Sequence, residues 1–200
     1  MFKKIVDRAK EIILKPMATW PIIKNEETSI TLLFTNYAAI LAAIPSLAMI
    51  IGYSIIGMQV PMAGTFRMPL QDSLLAAVLN YVLSLVGVYI GGYVINYLAP
   101  HFESKSNLSN AMKLVVYAAT PVWLAGVFSV IPSLSILAII GLYGVYLLYI
   151  GLPILMETPA EKTLPYIVAA IVVAIIVMVV VNILVGQFIY APVYSRISPY

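Results

Sequence analysis

The residues from Leu114 to Met156 read LVVYAATPVWLAGVFSVIPSLSILAIIGLYGVYLLYIGLPILM and contain no charged side chain. As one helix they would be about 65 Å long, more than twice the thickness of a bilayer's hydrocarbon core. They must therefore form two segments, and Ile131-Pro132-Ser133 is a natural turn between them. This pattern predicts membrane spans at 114–130 and 134–155. An alternative is that both segments only dip into the bilayer from one side.

Three further segments are free of charge and long enough to cross a membrane: 30–58, 73–99 and 165–189. The first would be about 43 Å long as a helix, so tilt, a kink at Pro45 or protruding ends must absorb the excess. We therefore expect an all-α polytopic integral membrane protein with five transmembrane helices, and residues 28–200 forming a single transmembrane bundle.

The composition agrees with a membrane protein. Of 200 residues, 62% are hydrophobic and 10% are charged, whereas soluble domains average about 45–50% apolar and about 25% charged residues. The net charge of +3 suits contact with anionic lipid better than nucleic acid in so apolar a chain. The chain has no cysteine, which excludes disulfides, thiol catalysis and thiolate metal sites. We expect no metal and no cofactor.

Residues 1–27 form a charged N-terminal segment with helical periodicity. Apolar residues recur at Ile5, Ala9 and Ile12, with charged residues between them. This spacing predicts a cytoplasmic amphipathic helix lying in the membrane interface, with its apolar face in lipid. The alternative is that the apolar face packs on the protein's own helices. The residues expected at the membrane surface are Lys3, Lys4, Arg8, Lys10 and the interfacial anchor Trp20.

Lysine and arginine are unevenly distributed among the loops. With the N-terminus inside, nine of the eleven lie on the inner side, and only Arg67 and Arg196 lie outside. This is a strong positive-inside bias. We therefore expect a multi-pass protein of the plasma or inner membrane, with a cytoplasmic N-terminus and an external C-terminus.

Uncharged polar residues enter the predicted spans. Four of them share one face of the second span, and two lie in the last: Asn80, Ser84, Gly87, Gly91, Asn182 and Gln187. Glycines four residues apart favour close contact between helices. Polar groups in a membrane also mark solute pathways. Both interpretations, a helix contact and a polar path, remain open from the sequence.

No charged residue and no histidine lies within the predicted spans, so we expect no catalytic residue there. His101 is the only histidine and lies in a polar loop, where one imidazole cannot build the usual zinc site. The adjacent carboxylates Glu26 and Glu27 precede the first span without a partner histidine or arginine at helical spacing. They suit the start of a helix better than catalysis.

Several short motifs together resemble the prokaryotic branch of the Yip (Ypt-interacting protein) family. They are Pro16, Trp20, Ile23 and Glu26, then Tyr117-Ala-Ala-Thr-Pro121 with Trp123 and Leu124, Ile131-Pro132, and Tyr143-Gly-Val-Tyr146 through Gly151-Leu-Pro153. The resemblance implies the five-span fold and a membrane location. Eukaryotic members are trafficking proteins that engage small GTPases and shape membranes, but their Asp-Leu-Tyr-Gly-Pro signature is absent from this sequence.

These observations predict a non-catalytic membrane protein that organises lipid or recruits partners at the inner leaflet. Its expected partners are the bilayer, anionic inner-leaflet lipids, and further copies of itself or other membrane proteins. The alternative is a small oligomeric channel or transporter for an ion or small solute that uses the polar residues of the spans. An intramembrane hydrolase is a distant third hypothesis.

Overall fold

The computed structural model describes residues 2–60 and 64–185, and these residues are predominantly helical. Two helices precede the first long apolar segment: α1 (Phe2–Leu14) and α2 (Pro16–Asn25). Four helical segments in the described residues are long and apolar enough to cross a membrane: span 1 (Ile30–Ile56), span 2 (Leu70–Phe102), span 3 (Leu108–Val130) and span 4 (Ile136–Leu155). These segments confirm an all-α polytopic membrane protein.

Span 1 is irregular along its length. It consists of α3 (Ile30–Leu33), a π-helical segment, α4 (Ala39–Ile50) and a second π-helical segment. The side chain of Ser29 caps its start by accepting a hydrogen bond from the Leu32 amide at 3.2 Å. Pro45 lies inside α4.

A short antiparallel hairpin follows span 1. Strands β1 (Met58–Val60) and β2 (Gly64–Phe66) pair with Met58 opposite Phe66. Span 2 then begins with α5 (Leu70–Leu98). This helix starts three residues before the predicted boundary, directly after Pro69.

Spans 3 and 4 are separated at the predicted turn. Span 3 contains α6 (Leu108–Ala118) and α7 (Thr120–Ala125), with Pro121 in the first turn of α7. Ile131 is extended, and Pro132 opens a 3-10 helix that runs to Leu142. Helix α8 (Tyr143–Leu155) completes span 4. The split of the long apolar stretch into two segments is therefore confirmed.

Span 3 is the most buried of the four, and it begins six residues earlier than predicted. The predicted start at residue 114 was set by Lys113, a charge next to the apolar run. Lys113 lies inside the helix and is only 4% exposed. A buried lysine is compatible with this position because its ammonium group is fully hydrogen-bonded, as described below.

The last described helix is α9 (Ala160–Val185), which contains most of the predicted segment 165–189. Tyr166 is buried, and its hydroxyl donates to the carbonyl oxygen of Ile95 in span 2. Its ring stacks on Phe102 at a centroid distance of 4.7 Å. These contacts fix the start of α9 against the end of span 2.

Candidate functional site

The ends of spans 1 to 4 near Ile30, Phe102, Leu108 and Leu155, together with α1 and α2, form what we call the basic end of the bundle. Lys113 lies at its centre. The Lys113 Nζ donates to three backbone carbonyl oxygens, those of Ile23 at 3.0 Å, Lys24 at 3.3 Å and Glu26 at 2.6 Å. The last carbonyls of a helix have no partner within the helix, and the helix dipole favours a cation there. Lys113 therefore attaches the C-terminal end of α2 to span 3.

Arg8 attaches α1 to the same place. Its guanidinium donates to the Glu26 carboxylate and also lies 3.4 Å from the carboxylate of Glu11. Glu26 thus contacts Arg8 through its side chain and Lys113 through its backbone oxygen. Arg8, which was predicted at the membrane surface, is therefore partly buried and pairs with a carboxylate within the protein.

Helix α2 runs alongside α8 in the same direction, and contacts at successive positions connect the two segments. The Tyr143 hydroxyl donates to the carbonyl oxygen of Ile13 at 2.9 Å, at the end of α1. Further along, the ring of Trp20 lies directly over Gly151, where an added Cβ would come within 2.7 Å of it. At the far end, Lys24 pairs with Glu157 at 2.9 Å. The turn between α1 and α2 therefore lies beside Tyr143, about 18 Å from the C-terminal end of α8 at 1.5 Å per residue.

Trp20 is completely buried, so the prediction that it anchors the chain at the membrane interface is wrong. Its ring packs edge-on against Tyr117 at a centroid distance of 6.5 Å, and Tyr117 packs on Tyr37 at 4.8 Å. The Tyr37 hydroxyl shares a buried hydrogen bond of 2.9 Å with that of Thr120. These contacts place Trp20 in the core between α2, span 3 and α8.

Two ion-pair groups close the exposed rim of the basic end. Glu157 lies 2.9 Å from the Lys24 ammonium and 3.8 Å from that of Lys105. The hydrogen bond from Lys24, reinforced by the charge of Lys105, lowers the pKa of the Glu157 carboxyl. Lys162 pairs with Glu103 at 3.2 Å. These pairs connect α2 and α9 to the loops at the ends of spans 2 and 4.

The apolar face of α1 packs on the protein. Ile5, Ala9 and Ile12 are buried in the core, which agrees with the alternative that the sequence left open and not with an apolar face in lipid. Lys3, Lys4 and Lys10 are exposed on the opposite face. Phe2 and Leu14, at the two ends of the helix, are 72% and 73% exposed. Helix α1 therefore presents lysines outward, with exposed apolar residues at its ends.

The polar face of span 2 is engaged in contacts with other helices. The Asn80 Nδ2 donates to the sulfur of Met49 at 3.3 Å, and the Ser84 hydroxyl accepts from Trp123 Nε1 at 2.9 Å. The structure thus places these two residues at contacts with spans 1 and 3. A hydrogen bond to a buried indole fixes the position of Trp123 in the core.

Of the two glycines predicted to favour a close helix contact, Gly91 lies at one within the chain. A Cβ at Gly87 would meet nothing within 4 Å, whereas one at Gly91 would lie 3.1 Å from Val115. Gly92 faces Met112 closely enough that a Cβ there would collide with its side chain. The close approach of spans 2 and 3 therefore uses Gly91 and Gly92, and Gly87 lies outside it. Gln187 and the side chain of Asn182 lie outside the described part of the chain.

The structure shows the surroundings of His101, Glu26 and Glu27, the residues considered for a catalytic role. His101 is exposed and lies 6.0 Å from the ring of Tyr97, measured between centroids. Glu27 is exposed, while Glu26 pairs with Arg8. Lys113 was not among the residues predicted from the sequence to form a site. The available signal was its position, one residue before a long apolar run and within the helix capped by Asn107.

The comparisons with known proteins agree with this fold. The Yip1 domain model matches residues 10–181. Inner membrane protein YohC of Escherichia coli (strain K12) is 30% identical over 149 residues, which cover 72% of this chain and 76% of that protein. The same protein from Escherichia coli O6:H1 matches equally. No solved structure matches significantly. The chain belongs to the Yip1 domain family of membrane proteins.

Proposed function

We propose that this protein is a non-catalytic organiser of the inner leaflet, which uses the exposed lysines of α1 to gather anionic lipid beside its transmembrane bundle. The observation that carries the proposal is the attachment of α1 and α2 to spans 3 and 4 through Lys113, Arg8 and Tyr143. This attachment holds Lys3, Lys4 and Lys10 at one place next to the bundle.

The magnitude of the electrostatic attraction supports a role at an anionic surface. Each lysine near such a surface contributes about 1 kcal/mol. Three exposed lysines on one short helix therefore favour anionic lipid by about 3 kcal/mol in total. Because α1 is fixed to the bundle, this attraction concentrates anionic lipid around the protein itself.

The proposed orientation places the basic end in the cytoplasm and uses α9 as a fifth crossing, with the C-terminus outside. The positive-inside distribution of lysine and arginine supports this orientation. Residues 1–27 then form the cytoplasmic interfacial segment, and residues 28–200 form the transmembrane bundle. The inner membrane location named for the relative YohC agrees with this assignment.

The proposal is tested with energy transfer from the two native tryptophans to dansyl-labelled lipid. The whole protein is reconstituted in phosphatidylcholine vesicles that contain a trace of dansyl-phosphatidylglycerol or dansyl-phosphatidylcholine. We expect stronger transfer to the anionic probe, and we expect the variant with Lys3, Lys4 and Lys10 all changed to Gln to lose most of this preference. Equal transfer to both probes in the wild-type protein would contradict the proposal.

A matched control variant changes Lys105 and Lys162 to Gln, since Lys105 is an exposed residue of the loop after span 2 and Lys162 is a half-exposed residue of α9. We expect this control to keep most of the preference for the anionic probe.

The same vesicles also test the channel alternative through the flux of ions and small solutes. A flux that is lost in Asn182→Leu or Gln187→Leu protein would favour a channel or transporter.

A further inference from the structure

An apolar groove of about 770 Å³ lies between α7 and the 3-10 helix of span 4. Its walls include Pro121, Leu124 and Phe128 on one side and Ile139 and Ile140 on the other. Ile140 is 52% exposed and Val127, also in the wall, is 48% exposed. The groove therefore opens sideways from the transmembrane region, where hydrocarbon is the surrounding medium.

The 3-10 helix explains why a groove forms at this position. Three residues per turn place every third side chain in one straight row. Ile136, Ile139 and Leu142 form such a row, and they are 74%, 62% and 65% exposed. This row stands out from the bundle, and its middle residue, Ile139, lines the groove.

One end of the groove is closed by α1. Ile13 and Tyr143 line this end and are joined by the hydrogen bond from the Tyr143 hydroxyl to the Ile13 carbonyl. From Pro121 near this end to Phe128, the groove extends about 12 Å at the rises of α and 3-10 helices. Lys15 is exposed and follows Ile13 by two residues, and Lys10 precedes Ile13 by about one helical turn. Lys15, an exposed basic residue, therefore follows closely in the chain on the residue that closes this end of the groove.

The size of the groove distinguishes between its candidate occupants. A transmembrane helix is about 30 Å long, whereas the groove extends only about 12 Å, so such a helix would contact the groove along less than half of its length. Its volume lies within the range of roughly 300–1,000 Å³ that is typical of small-ligand sites. A narrow apolar ligand with an anionic end matches both its shape and its charge.

We propose that this groove holds an acyl chain of one anionic phospholipid, whose phosphate is bound at the α1 end by Lys15. The proposal rests on the proposed function, because it identifies the lipid class that α1 attracts, and it adds a defined site to that surface attraction. The acyl chain extends from Ile13 and Tyr143 toward Phe128. The headgroup lies beside the turn between α1 and α2.

The test is native mass spectrometry of the purified full-length protein in detergent micelles that contain equal amounts of phosphatidylglycerol and phosphatidylcholine. We expect the wild-type protein to retain one phosphatidylglycerol in preference to phosphatidylcholine. Lys15→Gln is expected to reduce this preference about fivefold, the equivalent of ~1 kcal/mol for one lysine. Val127→Trp fills the groove from an exposed position and is expected to abolish retention of either lipid.

Matched controls separate this site from the surface attraction. Val86→Trp adds the same ring to an exposed position of span 2 outside the groove and is expected to retain lipid as the wild type does. Lys4→Gln is expected to weaken only the energy transfer described above. Ile140→Trp replaces Val127→Trp if the latter does not fold. Equal retention of both lipids by the wild type, or unchanged retention in folded Val127→Trp or Ile140→Trp protein, would overturn the site even if the surface attraction is confirmed.

Discussion

The ammonium group of Lys113 donates a hydrogen bond of 2.6 Å to the backbone carbonyl oxygen of Glu26. These residues lie in span 3 and just after α2, and the contact joins the N-terminal segment to the transmembrane bundle. Two further carbonyl oxygens of α2 accept hydrogen bonds from the same ammonium group. Replacement of Lys113 is therefore the direct way to release α2.

Lys113→Met keeps the length and apolar stem of the side chain but removes its three hydrogen bonds. Buried carbonyl oxygens left without a partner cost about 2–3 kcal/mol in total. We expect amide hydrogen exchange at the end of α2 to accelerate about 30-fold or more, the equivalent of ~2 kcal/mol. Lys162→Met, at a half-exposed ion pair, is the control and is expected to leave exchange in α2 unchanged. Unchanged exchange in Lys113→Met protein would refute the attachment.

The hydrogen bond between Tyr37 and Thr120 connects span 1 to the start of α7. Tyr37→Phe and Thr120→Val each remove this bond, and each is expected to lower the free energy of unfolding by about 1 kcal/mol. Because both changes remove the same interaction, the double variant is expected to lose clearly less than the sum of the two. Denaturation of the four proteins in detergent gives the coupling energy, and strict additivity would show that the bond contributes nothing.

Replacement of two glycines in the spans by alanine is expected to have opposite effects on the melting temperature. A Cβ at Gly52 would overlap the backbone carbonyl oxygen of Ser129, which cannot rotate away, whereas one at Gly87 would enter open space. Gly52→Ala is therefore expected to lower the melting temperature. Gly87→Ala is expected to keep or raise it, because alanine favours a helix over glycine by up to about 1 kcal/mol. A comparison of the two melting curves is the test, and equal curves would argue against the close contact at Gly52.

Stability at the basic end is expected to depend on the charge of Glu157. Lys24 and Lys105 lower the pKa of its carboxyl group in the folded protein. A lowered folded pKa stabilises the protein above the unfolded pKa, and this contribution is lost as the pH falls through the folded value. Glu157→Gln is therefore expected to melt below the wild type at pH 7, and the difference is expected to vanish in acid. A difference that persists at low pH would exclude this origin.

The sequence was sufficient to predict the apolar segments, since length and freedom from charge directly reflect the bilayer. The sequence predicted the position of a residue less reliably where that type of residue is common in two different environments. Tryptophan is common both at membrane interfaces and in protein cores, and only the packing around Gly151 and Tyr117 shows that Trp20 is buried. Lys113 was left outside the predicted span because a charge next to an apolar run normally marks its end. Its three backbone partners lie at the end of α2 and just after it, 87 to 90 residues away in the chain.

Only the types of residue in the candidate site could be predicted from the sequence, and their arrangement could not. The lysines of α1 are evident from the sequence, and three of those predicted at the surface are exposed. The periodicity of α1 could not show whether its apolar face meets lipid or protein, because both environments require the same spacing. The groove beside Ile139 depends on a 3-10 helix of eleven residues, which is longer than such helices usually are.

The depth of α1 in the membrane can be measured directly, because the chain has no cysteine and one spin label can be attached at a chosen position. Lys10→Cys places the label on the exposed face of α1, and Val86→Cys places it near the middle of span 2 as a reference. In vesicles that contain phosphatidylglycerol, we predict that the Lys10 label lies at the level of the phosphates, while the Val86 label lies deep in the hydrocarbon. A Lys10 label that is as accessible to water-soluble relaxation agents as a label in free solution, with or without anionic lipid, would contradict the role of α1 at the inner leaflet.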